Sequence, residues 1–390
     1  MLSLALIFIA GSVSPISGVS EGLLSVRGTW IVNPLGGKVF LRGVNYEGYE
    51  LDYPLVKTHT EAAYRTFAEL GFNVVRLPVA WGNLEPYPGT FREQYLTNFV
   101  DQDVRWAKEY GIYIVLDMHQ LYWGERWGGY GIPDWVTTGY PATDEGMRQA
   151  VTDFWTQDTL QSHLIDVWKG VANRYANETT IAGYDILNEP WVYTSIENLN
   201  ASYVNAFYLK VIKAIRAVDS SHIIILEPAN LIPSQFPVKQ NIVWSPHFYT
   251  LSFAEGYQES DASLLEADLS AKYQKFVVEF GSPMWIGEFG AFMNDGTQNS
   301  WIRDALKVFD KYGIGWAWWA FNGTVGVPLQ LYTNPQEQTA TGIHINIIDV
   351  EVAILLASIL VLGATVAVWA RHELRTVHSA RVKRKARAKR

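Results

Sequence analysis

The sequence predicts an α/β protein: a (β/α)8 (TIM) barrel followed by one C-terminal transmembrane helix. Three observations carry that reading. Short apolar, β-rich runs alternate with amphipathic helical stretches between residues 21 and 343, which is the signature of a parallel sheet wrapped in helices. Eight such runs stand at 39–45, 73–79, 112–119, 181–189, 222–227, 242–249, 284–288 and 314–319. A separate uncharged run of 19 residues, 352–370, comes after them. An open doubly wound sheet is the competing architecture, but the sequence lacks the Gly-rich phosphate loop usual after its first strand.

At the N-terminus, LSLALIFIA followed by Gly, Ser and Pro reads as the hydrophobic part of a signal peptide within residues 1–20, with an uncleaved anchor as the alternative because no basic residue precedes it. The barrel domain is expected over 21–343. Its helical patterns fall at 61–70, 95–110, 159–175, 201–218, 264–280 and 300–312. Gly71, Gly111 and Gly313 close three of them, where a left-handed C-cap favours a residue without a side chain. A linker at 344–351 leads to the apolar run, which at 1.5 Å per residue spans roughly 28 Å, against a bilayer core of about 30 Å. A buried core helix is the alternative reading of that run.

The tail, 371–390, carries nine basic residues and one acid, which leaves -16 on the rest of a chain whose net charge is -8. A basic flank stays in the cytoplasm, so the expected topology is a single-pass cell-membrane protein with its acidic body outside. The tail is expected to meet anionic lipid headgroups rather than nucleic acid. With 48% hydrophobic and 18% charged residues the chain cannot be disordered in bulk, and with no cysteine it has no disulfide, thiolate nucleophile or Cys-ligated metal.

Seven of the eight runs end in or just before Arg, His, Asn-Glu, Glu, Tyr or Trp, and in a barrel those ends surround one pocket. Glu189 in DILNEP and Glu288 in WIGEFG end the fourth and seventh runs. One strand-end glutamate alone can be a salt bridge. Two at a barrel mouth, about 5–5.5 Å apart, support retaining glycoside hydrolysis, one protonating the leaving oxygen while the other attacks the anomeric carbon. No HExxH or other close-spaced ligand pair occurs, so neither a metal nor a cofactor is expected.

From RGVNYEG at Arg42 to WAWWAFNG at Trp316 the sequence resembles glycoside hydrolase family 5, the retaining (β/α)8 group that includes cellulases, mannanases and endoglycoceramidases. The resemblance implies roles for eight positions. Glu189 would be the acid/base, in surroundings that raise its pKa, and Glu288 the nucleophile, kept ionised by Arg76 and the hydroxyl of Tyr249. Asn188 would hold the sugar 2-hydroxyl, His119 and His247 would orient the acid/base and substrate hydroxyls, and Trp319 would be the floor under the cleaved sugar. Arg76 can also be read as a structural ion pair, and either histidine as a core residue.

The long excursion 120–156 carries Trp123, Trp127, Trp135 and Trp155 among glycines, and 80–91 adds Trp81 and Tyr87. Aromatic rings stack on sugar faces, so Trp81, Trp123, Trp127 and Trp135 are candidate platforms of a polymer-binding wall; a small core sealing the rim is the alternative. The resemblance makes an endo-β-1,4-glucanase the leading expectation, with a β-linked polysaccharide or glycoconjugate as substrate. LDMHQ, GIPDW, AIRAVDSSH and LEP look closer to the endoglycoceramidase-like branch, although Leu121 stands where that branch usually has Asp. Mannan remains open. From another class, an inactive surface carbohydrate receptor is opposed by the presence of both glutamates.

Overall fold

The structure is a computed structural model that describes residues 22–331 apart from 52–58, 191–200, 229–235, 293–295, 324–327 and 329–330. The expected leader, linker, membrane span and basic tail lie outside the described residues. Among those described, no helix is long and apolar enough to cross a membrane.

Ten strands are described. β1 (Ser25–Arg27) and β2 (Trp30–Val32) form an antiparallel hairpin. The other eight are β3 (Arg42–Tyr46), β4 (Val74–Ala80), β5 (Tyr113–His119), β6 (Ile181–Asp185), β7 (Ile223–Leu226), β8 (Ile242–Trp244), β9 (Trp285–Phe289) and β10 (Gly315–Phe321). They pair in parallel in the order β8-β7-β6-β5-β4-β3-β10-β9. A parallel bridge between Trp244 and Met284, with the Trp244 amide donating to Pro283 O at 3.0 Å, closes the ring between β8 and β9. Every residue of β4, β5, β6 and β7 is buried, which is why these strands read as apolar runs interrupted only at Arg76, Asp117, His119 and Asp185.

The surrounding helices are α1 (Glu61–Glu69), α2 (Asp101–Tyr110), α3 (Asp144–Thr156), α4 (Asp158–Tyr175), α5 (Ala201–Arg216), α6 (Ala262–Tyr273) and α7 (Gln298–Tyr312). Their amphipathic spacing explains the docking: α7 buries Trp301, Ile302, Ala305, Val308 and Phe309, one stripe at helical period. Thr60 caps α1 by accepting from the Ala63 amide, and Gly111 and Gly313 end α2 and α7 at φ 70° and 63°.

All eight predicted barrel strands are present, with informative differences at their ends. The runs 181–189 and 242–249 leave the ladder at Asp185 and Trp244. Beyond each of those residues the backbone turns and carries polar side chains into the mouth. The hairpin β1–β2 has no counterpart among the predicted runs, being two three-residue strands; it places Leu24 and Ile31 in one cluster with Leu41, Val115 and Trp285 under the barrel. The excursion 120–156 contains α3, which its Gly- and Trp-rich start obscured.

Candidate active site

The site is assembled around Arg76, which points from the middle of β4 into the barrel and is fully buried. Its guanidinium meets Asp185 Oδ2 at 2.9 Å, Asp117 Oδ1 at 3.0 Å, Glu227 Oε1 at 2.8 Å and Glu288 Oε1 at 2.6 Å. Asn45 Oδ1 and Asn188 Oδ1 also accept from it, each at 3.0 Å. Gly287 makes room for this packing: a Cβ there would lie 2.4 Å from Ser245 Oγ and 3.5 Å from Arg76 Nε. Four carboxylates on one cation overcome the burial that opposes its charge, so Arg76 is held protonated.

Glu288, on β9, also accepts from the Tyr249 hydroxyl at 3.0 Å, while Asn45 Nδ2, donating to Gly287 O at 3.0 Å, fixes the strand beside it. Glu189 sits just beyond β6 at φ 41°, a left-handed conformation that costs a non-glycine residue about 1–2 kcal/mol. Three bonds hold that turn. Gln120 Nε2 donates to the Asn188 and Glu189 carbonyls at 3.0 and 3.1 Å, and the Glu189 amide donates to Glu227 Oε2 at 2.8 Å. His247 Nδ1 donates to Glu189 Oε1 at 2.9 Å and lies 3.4 Å from Glu288 Oε2. One oxygen of Glu189 and one of Glu288 stand within 4.8 Å of each other. So close an approach belongs with the short carboxyl separation of retaining glycosidases, about 5–5.5 Å, rather than the about 6.5–9.5 Å that leaves room for a water between the two groups.

Burial opposes the charge of His247, but Glu227, Glu288 and the bond to Glu189 outweigh it and raise its pKa well above the usual histidine range. The expectation that Glu189 is raised is therefore corrected for the unliganded site. Burial does raise it, but the hydrogen bond and charge of His247, with the charge of Arg76, win and hold it below an ordinary glutamate. His119 behaves oppositely: burial lowers it to about 3, so it is neutral. Its Nδ1–H donates to Asp117 Oδ2 at 2.6 Å, which leaves Nε2 as an acceptor. Trp319 stacks on that ring at 5.0 Å and 9°.

All eight positions expected around the pocket thus converge, directly or through His119. The four candidate platforms do not. Trp81 and Trp123 are buried at 0% and 2% exposure; Trp81 Nε1 donates to Glu85 Oε2, and Trp123 packs edge-on against Phe154. Trp135 is half-buried, crossing Trp81 at 87° and donating to Glu85 O, and Trp127 donates to Pro141 O. Trp81 and Trp123 thus belong to a small core sealing the rim, while Trp127 and Trp135 keep part of their surface exposed.

Sequence reasoning missed Asn45, Asp117, Gln120, Asp185 and Glu227. The available signal was a polar residue inside an otherwise apolar strand run, as in VLDMH, YDILNEP and IILEP. Two groups, Glu189/His247/Glu288 and Asp117/Asp185/Glu227, each bring three possible metal-ligand atoms together. In both, the protein supplies positive charge itself, through His247 in the first and Arg76 in the second.

Residues 36–324 match the family described as Cellulase (glycosyl hydrolase family 5). Endoglucanase C of Acetivibrio thermocellus is 25% identical over 339 residues, covering 72% of this chain and 91% of that protein. Endoglycoceramidase I of Rhodococcus hoagii is 26% identical over 341 residues, covering 76% of this chain and 68% of that protein. Among solved structures, an endogalactoceramidase superposes with a TM-score of 0.67 at 29% identity, over 76% of this chain and 74% of its own.

Proposed function

Because the chain belongs to glycosyl hydrolase family 5, we propose that it hydrolyses β-glycosidic bonds with retention of configuration, Glu288 acting as nucleophile and Glu189 as acid and base. The observation that carries this reading is the approach of the two carboxyl groups to within 4.8 Å. In the first step a Glu288 oxygen bonds to the anomeric carbon, the glycosidic C–O bond breaks, and Glu189 gives its proton to the departing oxygen. In the second, Glu189 takes a proton from water, whose oxygen attacks the same carbon and releases Glu288. Arg76 and Tyr249 bind the nucleophile's oxygens and orient the attack. The neutral His119 and Asn188 face substrate hydroxyls.

For the leaving group, an apolar aglycone, as in a glycolipid, is the reading we favour. Phe253 and Phe292 are 67% and 44% exposed, stacked at 4.8 Å and 6°, and each lies about 6 Å from the Tyr249 ring beside the nucleophile. The Phe292 amide, donating to Ser252 O at 2.9 Å, ties the two loops that carry them. Water-exposed coplanar rings next to a reaction centre suit a hydrocarbon leaving group. An endo-β-1,4-glucanase is the second reading, supported by the endoglucanase relative that aligns over 91% of its length. The 352–370 run and basic tail support membrane tethering with the barrel outside the cell, which would bring it to lipid-borne substrates.

The test is product release by the full chain in detergent from lactosyl lipid, β-1,4-gluco-oligosaccharides, mannan and xylan, with Glu288→Ala as the blank. Release of sugar from the lipid is expected. Cleavage of glucan alone moves the assignment to the second reading, and silence on all four overturns glycosidase activity in favour of a carbohydrate receptor.

A further inference from the structure

Glu227 belongs to none of the expected site positions, yet it touches the proposed acid/base from two directions. It directly follows β7, is 2% exposed, and its own carbonyl accepts from the Tyr208 hydroxyl at 2.7 Å, which anchors it to α5. One carboxylate oxygen, Oε2, accepts the amide of Glu189, the residue with the left-handed backbone. The other, Oε1, meets Arg76 Nη2 at 2.8 Å and stands 3.3 Å from His247 Nε2. That last approach is a charge contact rather than an aligned bond, since no acceptor meets Nε2 squarely among the described residues. The far nitrogen of the same ring donates to Glu189 Oε1.

We propose that Glu227 is a positioning residue for general acid catalysis: it clamps the backbone of Glu189 and, through His247, sets how tightly the Glu189 side chain holds its proton. This rests on the retaining-glycosidase reading above. The groups that share the electrostatics are Arg76 from β4, Asp117 and His119 from β5, Asp185 from β6, Glu189 itself, His247 and Tyr249 after β8, and Glu288 from β9. Within that set Glu227 is the anion that does most to raise His247, so its loss lowers the proton affinity of the imidazole. A neutral His247 stabilises the Glu189 carboxylate less, and Glu189 then keeps its proton to higher pH.

The leaving group separates this role from a structural one. An alkyl or sugar aglycone must be protonated as it departs, whereas dinitrophenolate leaves without help, and general acid catalysis is typically worth about 10²–10⁴-fold. The experiment measures kcat/KM of the full chain for an alkyl and a dinitrophenyl β-glycoside of the same sugar, across pH, for the parent and Glu227→Gln. The alkyl/dinitrophenyl ratio is expected to fall at least 10-fold, and the alkaline limb of the profile to move to higher pH. An unchanged ratio or an unmoved limb overturns the proposal. Should Glu227→Gln fail to fold, Glu227→Asp keeps the charge but falls short of the Glu189 amide; the ratio should fall with the limb in its parental place, and an unchanged ratio overturns the proposal equally. No turnover of either glycoside by the parent chain is a different result, one that removes the glycosidase reading itself.

Discussion

Arg76 faces four carboxylates, so the charge balance beneath the pocket depends on protons as well as on the guanidinium. Burial raises Asp117 to about 6 and Asp185 to about 7, despite the opposing pull of Arg76 and His247. Asp185 Oδ1 is buried with no hydrogen-bond partner among the described residues, so a full negative charge on this carboxyl is poorly stabilised. By linkage, an acid whose folded pKa exceeds its unfolded value of about 4 adds stability below that value, and the contribution is lost as pH rises through the folded pKa. Stability should therefore fall from about pH 4 to about pH 7, by at most about 1.4 kcal/mol per pH unit for each titrating group, and the thermal midpoint with it. In Asp185→Asn the fall should be shallower. Equal slopes for parent and variant would show that these acids do not titrate in the folded state. The polar residue in each strand run was visible in the sequence, but a lone Asp in a strand gives no hint that three further acids share its cation.

At the scale of elements, the barrel strands were readable because both faces of β4 to β7 are buried, so the apolar run has no polar interruption except where a side chain serves the pocket. The same fact misplaced two boundaries. Apolar residues such as Ile186, Leu187 and Phe248 continue the runs past β6 and β8, but the backbone has already turned to present Asn188, Glu189 and His247. The aromatic excursion failed for a related reason: tryptophan suits a sugar platform and a small core equally, and composition cannot choose between them. Here the rings turn inward onto Phe154 and Glu85. Trp123→Ala is accordingly expected to cost about 3–5 kcal/mol in denaturant unfolding, as the loss of a large buried ring does. The turnover of a short soluble glycoside per folded molecule should stay within a few-fold of the parent. A raised KM for long chains with no loss of stability would restore the platform role.

For the whole molecule, the barrel explains how eight positions scattered between Arg76 and Trp319 come to one place: parallel strands all end at the same rim, where seven of the positions lie at or near strand ends, and Arg76 reaches them from inside the barrel on β4. The fold and the eight expected positions were legible because they recur at those ends. The hairpin under the barrel and the acids inside it were not, since neither short edge strands nor buried charges leave a periodic mark. The most direct test of the central claim is the stereochemistry of the first product, monitored by proton NMR of the anomeric signal as the full chain cleaves a β-glycoside, with Glu288→Ala as the blank. Two displacements at a carbon flanked by carboxyls this close predict that the β-anomer appears first and that the variant releases none. Initial α-anomer, or parental turnover by Glu288→Ala, would contradict the account.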